Sequence, residues 1–410
     1  MNAEKRNLLL INTVCGGSHG RIMGDLCAAA GSAGFAAHVA FGRGENRFDG
    51  IRISGRFDVL RHVARTRLLD GHALGSKRAT RALIAEMRRH PPALVHLHNL
   101  HGYYLHAPAL FDYFKETGVP VIWTLHDCWA LTGHCSHFVR ANCDKWQTGC
   151  FDCPLKSAYP ASQLLDASRA NWRWKRDLFT DLPNLTIVCP SKWLGEVVGQ
   201  SYLQHAPRRV ISSGVDLGLF VPPMGDVEAI REAHGVQEGQ LMLLAVAAPF
   251  DERKGFADAL AVAGRLGRRA RLVLVGLTDA QRRALPREVT GICRTEGPEA
   301  LVALYGAADC LINPTYEDTY PTVNMEAMAC GTPVAAYAVG GCTEQLESPV
   351  GRAVPVGDAA ALAEAALALA LQKADLAADC RRYAQQHFDR QAAIAQYIRL
   401  YLEKMGEYRP

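Results

Sequence analysis

No apolar run in this chain approaches the roughly 20 residues needed to cross a bilayer. The segment Leu8–Val14 is apolar but too short for a signal-peptide core, and no convincing cleavage site follows it. It reads as a first buried strand, and the sequence as that of a cytoplasmic protein. Low-complexity stretches and short repeats are absent. So is the Gly-x-Gly-x-x-Gly fingerprint with its downstream acidic partner, which argues against a Rossmann dehydrogenase. Strong charge of one sign is missing too, and a formal balance of +4 is too small to imply nucleic acid.

What is present suits two soluble domains. The 410 residues are 49% hydrophobic and 21% charged, enough for two cores of ordinary size. Short apolar runs at Leu8–Val14, Ala37–Phe41, Leu94–Leu97, Val119–Leu125 and Thr186–Val188 alternate with helical patterns. After the Gly/Pro-containing stretch Val215–Pro223 the rhythm restarts, with strands expected at Leu241–Ala247, Arg271–Val275, Cys310–Asn313 and Pro333–Ala336. Strands apolar on both faces and separated by helices imply parallel α/β sheets covered on both sides. The expected domains are 1–207, carrying a Cys-rich insertion at 128–157, and 208–387, followed by a terminal helix in 388–410. Two Rossmann-like domains with parallel sheets facing a central cleft are the expected architecture. Ligands bind beyond the carboxyl ends of strands in such sheets, which directs attention to the residues after each run.

The sharpest of these segments, Pro314 to Val334, reads Pro-Thr-Tyr-Glu-Asp-Thr-Tyr-Pro-Thr-Val-Asn-Met-Glu-Ala-Met-Ala-Cys-Gly-Thr-Pro-Val. Pro321 suits the first position of a helix and Gly331 its C′ position. Thr322 and Glu326, four residues apart, share a face of that helix. Its N-terminus offers free N–H groups to a phosphate, and Asp318 precedes it in a loop. Asp251-Glu-Arg-Lys-Gly255 follows another strand, so Lys254 can reach a diphosphate, with Arg253 beside it. Cys15-Gly-Gly-Ser-His-Gly-Arg21 opens a helix after the first strand; Gly16 and Gly17 would let backbone approach a ligand, or form a plain turn.

These motifs resemble the GT-B glycosyltransferases of family 4, a large retaining group that builds bacterial polysaccharides. Their acidic residue, seven others and Glu correspond here to Asp318 and Glu326, while Glu317 stands one residue farther away. The resemblance implies a nucleoside-diphosphate sugar as donor. Asp318 or Glu317 would hold the sugar, Glu326 the ribose, and Lys254 with Arg253 the diphosphate. An upstream Arg of many members is replaced by Ala247-Ala-Pro249. His126 resembles the family His that contacts the donor sugar near the reacting carbon, with Asp127 placed to orient it. His98, Asn99, His101 and Tyr103 would line the acceptor side. The chemistry implied is a front-face reaction without an enzyme nucleophile, and the chain has no Asp-x-Asp sequence, as suits a metal-free version. No cofactor is expected for catalysis.

Thirteen Cys cannot be a disulfide framework in a cytosolic chain. Cys135, Cys143, Cys150 and Cys153 cluster in the insertion, where a structural Zn²⁺, disulfides and packed free thiols are all open readings. Such insertions, beginning His-Asp-x-Trp, look similar to those of colanic-acid and capsule glycosyltransferases. Arg61, Arg65, Arg67, Lys77, Arg78, Arg81, Arg88 and Arg89 make the first half locally basic. That pattern suits either a solvated helix face or peripheral contact with the inner membrane. The expectation is transfer of a UDP- or GDP-linked sugar to a glycan or polyprenyl-diphosphate-linked acceptor in surface polysaccharide (exopolysaccharide) synthesis. The competing reading is a non-catalytic relative that binds a sugar nucleotide or glycan as an accessory subunit.

Overall fold

The computed structural model describes residues 6–46, 48, 50–223 and 225–406. The chain divides into two compact units, one of Met1–Ile211 with Ile394–Pro410 and one of Ser212–Ala393. The first holds a seven-stranded sheet built from β1 (Arg6–Val14), β2 (Phe35–Arg43), β3 (Ile51–Arg52), β4 (Leu94–Leu97), β5 (Val121–Thr124), β6 (Leu185–Cys189) and β7 (Arg208–Val210). Every pairing is parallel and the order is β3-β2-β1-β4-β5-β6-β7. Leu94–Leu97 and Val121–Thr124 are buried throughout, as strands covered by helices on both faces must be.

The second unit repeats the topology with β8 (Leu241–Val246), β9 (Ala270–Val275), β10 (Val289–Ile292), β11 (Cys310–Asn313), β12 (Val334–Tyr337) and β13 (Gly351–Val354). Its order is β10-β9-β8-β11-β12-β13, again all parallel. In each sheet the winding reverses once, between β1 and β4 and between β8 and β11. A crevice at the carboxyl ends of those strands is where an open α/β sheet receives a ligand. Cys15 to Gly17 and His98 to His101 follow one such pair; Lys254 and Asp318 follow the other.

Helix ends carry the expected chemistry. Thr278 and Gln281 form a reciprocal capping box, and Asp226, Ser191 and Asp358 accept N–H groups in the first turns of their helices. From Ile394 onward the terminal helix, Arg390–Lys404, belongs to the first unit. There Tyr401 donates or accepts at 2.7 Å with His96, and Tyr397 lies 3.1 Å from Thr124.

Candidate functional site

In the second unit, two loops are sewn together over the β8/β11 switch point. Asp251 caps the short turn Glu252–Lys254, accepting the N–H of Lys254 at 3.1 Å. Gly255 then takes φ +73°, and a Cβ there would meet the carbonyl oxygen of Pro314 at 2.0 Å, so the two loops touch backbone to backbone. Tyr316 N–H donates to the Arg253 carbonyl at 2.9 Å, and the Arg253 guanidinium reaches the Glu317 carbonyl at 3.5 Å. This brings Lys254 Nζ to 2.5 Å from Asp318 Oδ2, with the two side chains 20% and 17% exposed. Asp318 Oδ1 also accepts the Tyr320 N–H at 3.1 Å.

The helix that follows starts at Thr322; Pro321 sits one position earlier than expected, at the cap, with φ −66° and ψ 126°. Gly331, at φ +80°, follows its C-cap as the motif suggested. A chain of buried amides fixes the helix start. Asn313 donates to Asn324 at 2.9 Å, Asn324 to Gln345 at 3.0 Å, and Gln345 to the Pro321 carbonyl at 3.0 Å. Glu326 is buried and its Oε2 accepts the Tyr305 hydroxyl at 2.8 Å. Burial first and the Glu326 carboxylate second push the Tyr305 phenol well above its usual value, so it remains a donor. Glu317 is buried as well, and Thr322 is half-buried. Sequence reasoning singled out Lys254, Arg253, Asp318 and Glu326 but not Tyr305, Asn313, Asn324 and Gln345, whose only signal is polarity at core positions.

In the first unit, a small recess is lined by His98, Asn99, His101, His126, Asp127 and Trp129, among others. His98 Nδ1 and His126 Nε2 are hydrogen-bonded at 3.0 Å, with the two rings nearly coplanar at an interplanar angle of 16°. The Asp127 carboxylate, which the sequence reading placed to orient His126, meets His101 Nε2 at 2.8 Å. Burial alone would raise the Asp127 pKa; the His101 imidazole outweighs it, aided by His137 and the Trp129 N–H, and holds the carboxyl well below its usual range. Tyr159, which sequence reasoning did not single out, places its hydroxyl 3.2 Å from His101 Nδ1. The result is an Asp127–His101–Tyr159 chain. Tyr103, held at φ +67°, packs edge-on against Tyr159 and His62 and is not among the recess-lining residues.

His96 is wholly buried between the Tyr401 hydroxyl and Thr124, and burial, with His126 second, pushes its pKa down to about 3. It is a core histidine. Gly16 is the extended N-cap of helix Gly17–Ser32, and a Cβ there would meet nothing within 4 Å, so closeness to protein atoms does not require a glycine at that point. The Arg21 side chain lies outside the described residues.

The four thiols of the insertion are neighbours, Cys135 interacting with Cys150 and Cys153 and Cys150 with Cys143, but no three of them lie within 4.8 Å of one another. Cys135 and Cys153 are hydrogen-bonded to each other, while Cys150 Sγ accepts the Gly133 N–H at 3.1 Å. Among the described residues, the one group of three metal-ligating side chains within 4.8 Å is Asp70, His72 and His134. Its geometry is that of a hydrogen-bond network. Asp70 Oδ1 and His134 Nδ1 are 2.6 Å apart, too close for two ligands each about 2 Å from a tetrahedral ion, and Trp129 Nε1–H occupies His72 Nδ1 at 2.8 Å. Lys175 completes this core, donating to the carbonyls of Trp129 and Thr132 at 2.8 and 2.9 Å. The thiols as arranged fit packed free cysteines, not a zinc cage.

Comparison with known proteins matches residues 19–219 to "Glycosyltransferase Family 4" and residues 226–387 to "Glycosyl transferases group 1". WcaC of Escherichia coli K12, named for colanic acid biosynthesis glycosyl transfer, is 24% identical over 80% of this chain and 82% of its own. Sucrose-phosphate synthase from Thermosynechococcus elongatus superposes with a TM-score of 0.72 at 21% identity, covering 98% of this chain and all of that one (100%). HepE from Anabaena, solved with UDP, superposes with a TM-score of 0.67 at 16% identity, over 97% of this chain and 100% of its own; it was also solved with UDP-glucose. Such identities speak for the fold, while the two family models between them account for most of the chain. On that basis the protein is a glycosyltransferase of the GT-B fold and belongs to family 4.

Proposed function

We propose that the enzyme moves a sugar from a nucleoside diphosphate to a glycan or polyprenyl-diphosphate-linked oligosaccharide, with retention, in bacterial surface polysaccharide synthesis. The observation that carries this reading is the Lys254–Asp318 pair beside the helix N-terminus at Thr322. An ammonium and a set of free N–H groups converge where a diphosphate would sit, next to carboxylates suited to hydroxyl groups. Lys254 and Arg253, with Thr322 at the helix start, would neutralise the departing diphosphate. Asp318 and Glu317 would hold the donor sugar, and Glu326, oriented by Tyr305, the ribose. Gly16 and Gly17, at the start of helix Gly17–Ser32, would offer backbone to a phosphate.

In the proposed step the C1–phosphate bond breaks while the acceptor oxygen bonds to C1 on the same face. The acceptor proton passes to the leaving phosphate oxygen. His126, hydrogen-bonded to His98, would contact the sugar near C1, and His98, Asn99 and His101 would bind the acceptor. Tyr103 would support that wall through Tyr159. Positive charge comes from Lys254 and the helix dipole, so the reading requires no metal cofactor. A polyprenyl-linked acceptor would bring the enzyme to the inner face of the cytoplasmic membrane.

UDP is the first nucleotide to test, because HepE was solved with UDP and UDP-glucose, and GDP is the second. At about 100 times its Kd a bound nucleotide adds roughly 2.7 kcal/mol of stability, easily seen as a thermal shift. The reading expects stabilisation by one nucleotide class, lost in Lys254→Ala and Glu326→Ala. A folded sample indifferent to all of them up to millimolar concentration would overturn it.

A further inference from the structure

Helix Arg56–Leu69 is inside out. Its buried positions are His62 and Thr66, and His62 accepts the Gly75 N–H at 3.2 Å. Its exposed face instead carries Phe57, Leu60, Leu68 and Leu69, at 71%, 66%, 45% and 49% exposure. Leu164 and Leu165, 65% and 54% exposed, join them, because Gln163 and Leu165 donate their N–H groups to the carbonyls of Arg67 and Leu68. Half of the exposed large hydrophobic side chains among the described residues thus lie on one helix and the loop fastened to it. Scattered single leucines need no explanation, but six exposed large apolar side chains on one helix and its attached loop do.

The patch is bordered by cations. Arg56, Arg61, Arg65 and Arg67 are exposed on the same helix, as are Lys77 and Arg78 after it, and Arg61 lies 5.7 Å from the Phe57 ring. Asp58 is the helix's one acid and is half-buried. Asp166, just beyond the leucine pair, is exposed and its carboxylate accepts the N–H groups of Cys153 and Ser168. Apolar side chains rimmed by arginines are complementary to a bilayer surface with anionic headgroups. No helix among the described residues is long and apolar enough to cross a membrane, so the contact would lie in the interface plane.

We infer that this helix and the 163–165 loop are a docking surface for an anionic lipid bilayer, seating Phe57 and the leucines at the acyl boundary and the arginines among the phosphates. The inference rests on the proposed lipid-linked acceptor for its purpose, but its test does not need that acceptor. Full-length protein would be sedimented with vesicles of phosphatidylcholine alone or mixed with phosphatidylglycerol, at low and high salt. Binding is expected to the mixed vesicles, weakened at least about tenfold by high salt and again by Phe57→Ser with Leu60→Ser or by Arg61→Glu with Arg67→Glu. Circular dichroism and Tm should match wild type in these surface variants. No binding by the wild type, or equal binding by the variants, overturns the inference. So does loss of a wild-type dimer in the serine variant without any vesicle binding, which would make the patch a contact between copies. Transfer to a detergent-solubilised acceptor is measured in parallel. Activity there with no vesicle binding removes the surface and leaves the reaction, whereas vesicle binding without transfer or nucleotide binding does the reverse.

Discussion

Lys254→Ala removes the ammonium that stands 2.5 Å from Asp318, and it has two separable consequences. The pair is only 20% and 17% exposed, so Asp318 loses a largely desolvated charged hydrogen bond, worth about 1.5–3 kcal/mol. For a unit of this size that lowers Tm by roughly 3–10 °C. If the ammonium also meets charge developing on the diphosphate, the same change costs about 2.7–4 kcal/mol in the transition state, a fall of about 10² to 10³ in kcat. Asp318→Asn keeps the ammonium and should cost less in kcat than Lys254→Ala, although it breaks the same pair. The assay is release of nucleoside diphosphate at saturating donor and acceptor, with calorimetry of both variants alongside. A Lys254→Ala enzyme with a lowered Tm but kcat within about threefold of wild type would show that Lys254 merely braces the Asp318 loop.

Tyr305→Phe takes one hydrogen bond from the Glu326 carboxylate and should weaken nucleotide binding about tenfold with kcat unchanged at saturation; an unaltered Kd in calorimetric titration would refute the orienting role. Tyr159→Phe, at the outer end of the Asp127–His101 chain, should raise KM for acceptor about fivefold and leave KM for donor alone, so an equal rise in both would count against an acceptor recess. Lys175 has a pKa pushed down to about 7 by burial, whereas in the unfolded chain a lysine titrates near 10.4. The unfolded state therefore holds more protons between these values, and stability should rise with pH there by up to about 1.4 kcal/mol per unit. Lys175→Met should lack that increment in urea titrations at pH 7 to 10, and equal slopes for both proteins would refute it. Metal analysis should find less than one zinc per chain, with Tm indifferent to a chelator; one tightly held equivalent would mean that the thiols rearrange around an ion.

Nine strands were legible in the sequence and four were not. The four are β3, β7, β10 and β13, the edges of the two sheets. Ile51–Arg52 and Arg208–Val210 are exposed throughout, and Val289–Ile292 and Gly351–Val354 are partly so. An edge strand has no continuous apolar run to betray it, because one flank faces water or a loop. Helix Arg56–Leu69 escaped as a helix for a related reason, since its apolar side chains point outward and no inward stripe marks its period. In the second unit's site, residues close in sequence were found through the spacing of one motif. Their supports were not: Tyr305 approaches Glu326 from a neighbouring helix, and Gln345 closes the amide chain from beyond β12. His101 and Asp127 were both noticed, yet their pairing across two strands is a tertiary fact that neither local stretch contains.

Tyr159 lies just past the Cys-rich segment 128–157, while His101 and Asp127 follow the ends of β4 and β5. The recess at His98 and His101 is thus built on the sheet, and the hydroxyl that backs His101 comes from a separate stretch of chain. The Cys-rich segment is itself part of that framework: Trp129, Leu131, Phe138 and Trp146 are buried in the first unit's core, and Lys175 holds the Trp129 and Thr132 carbonyls. Changing what stands against His101 therefore calls for single substitutions at Tyr159, not for exchange of the whole segment.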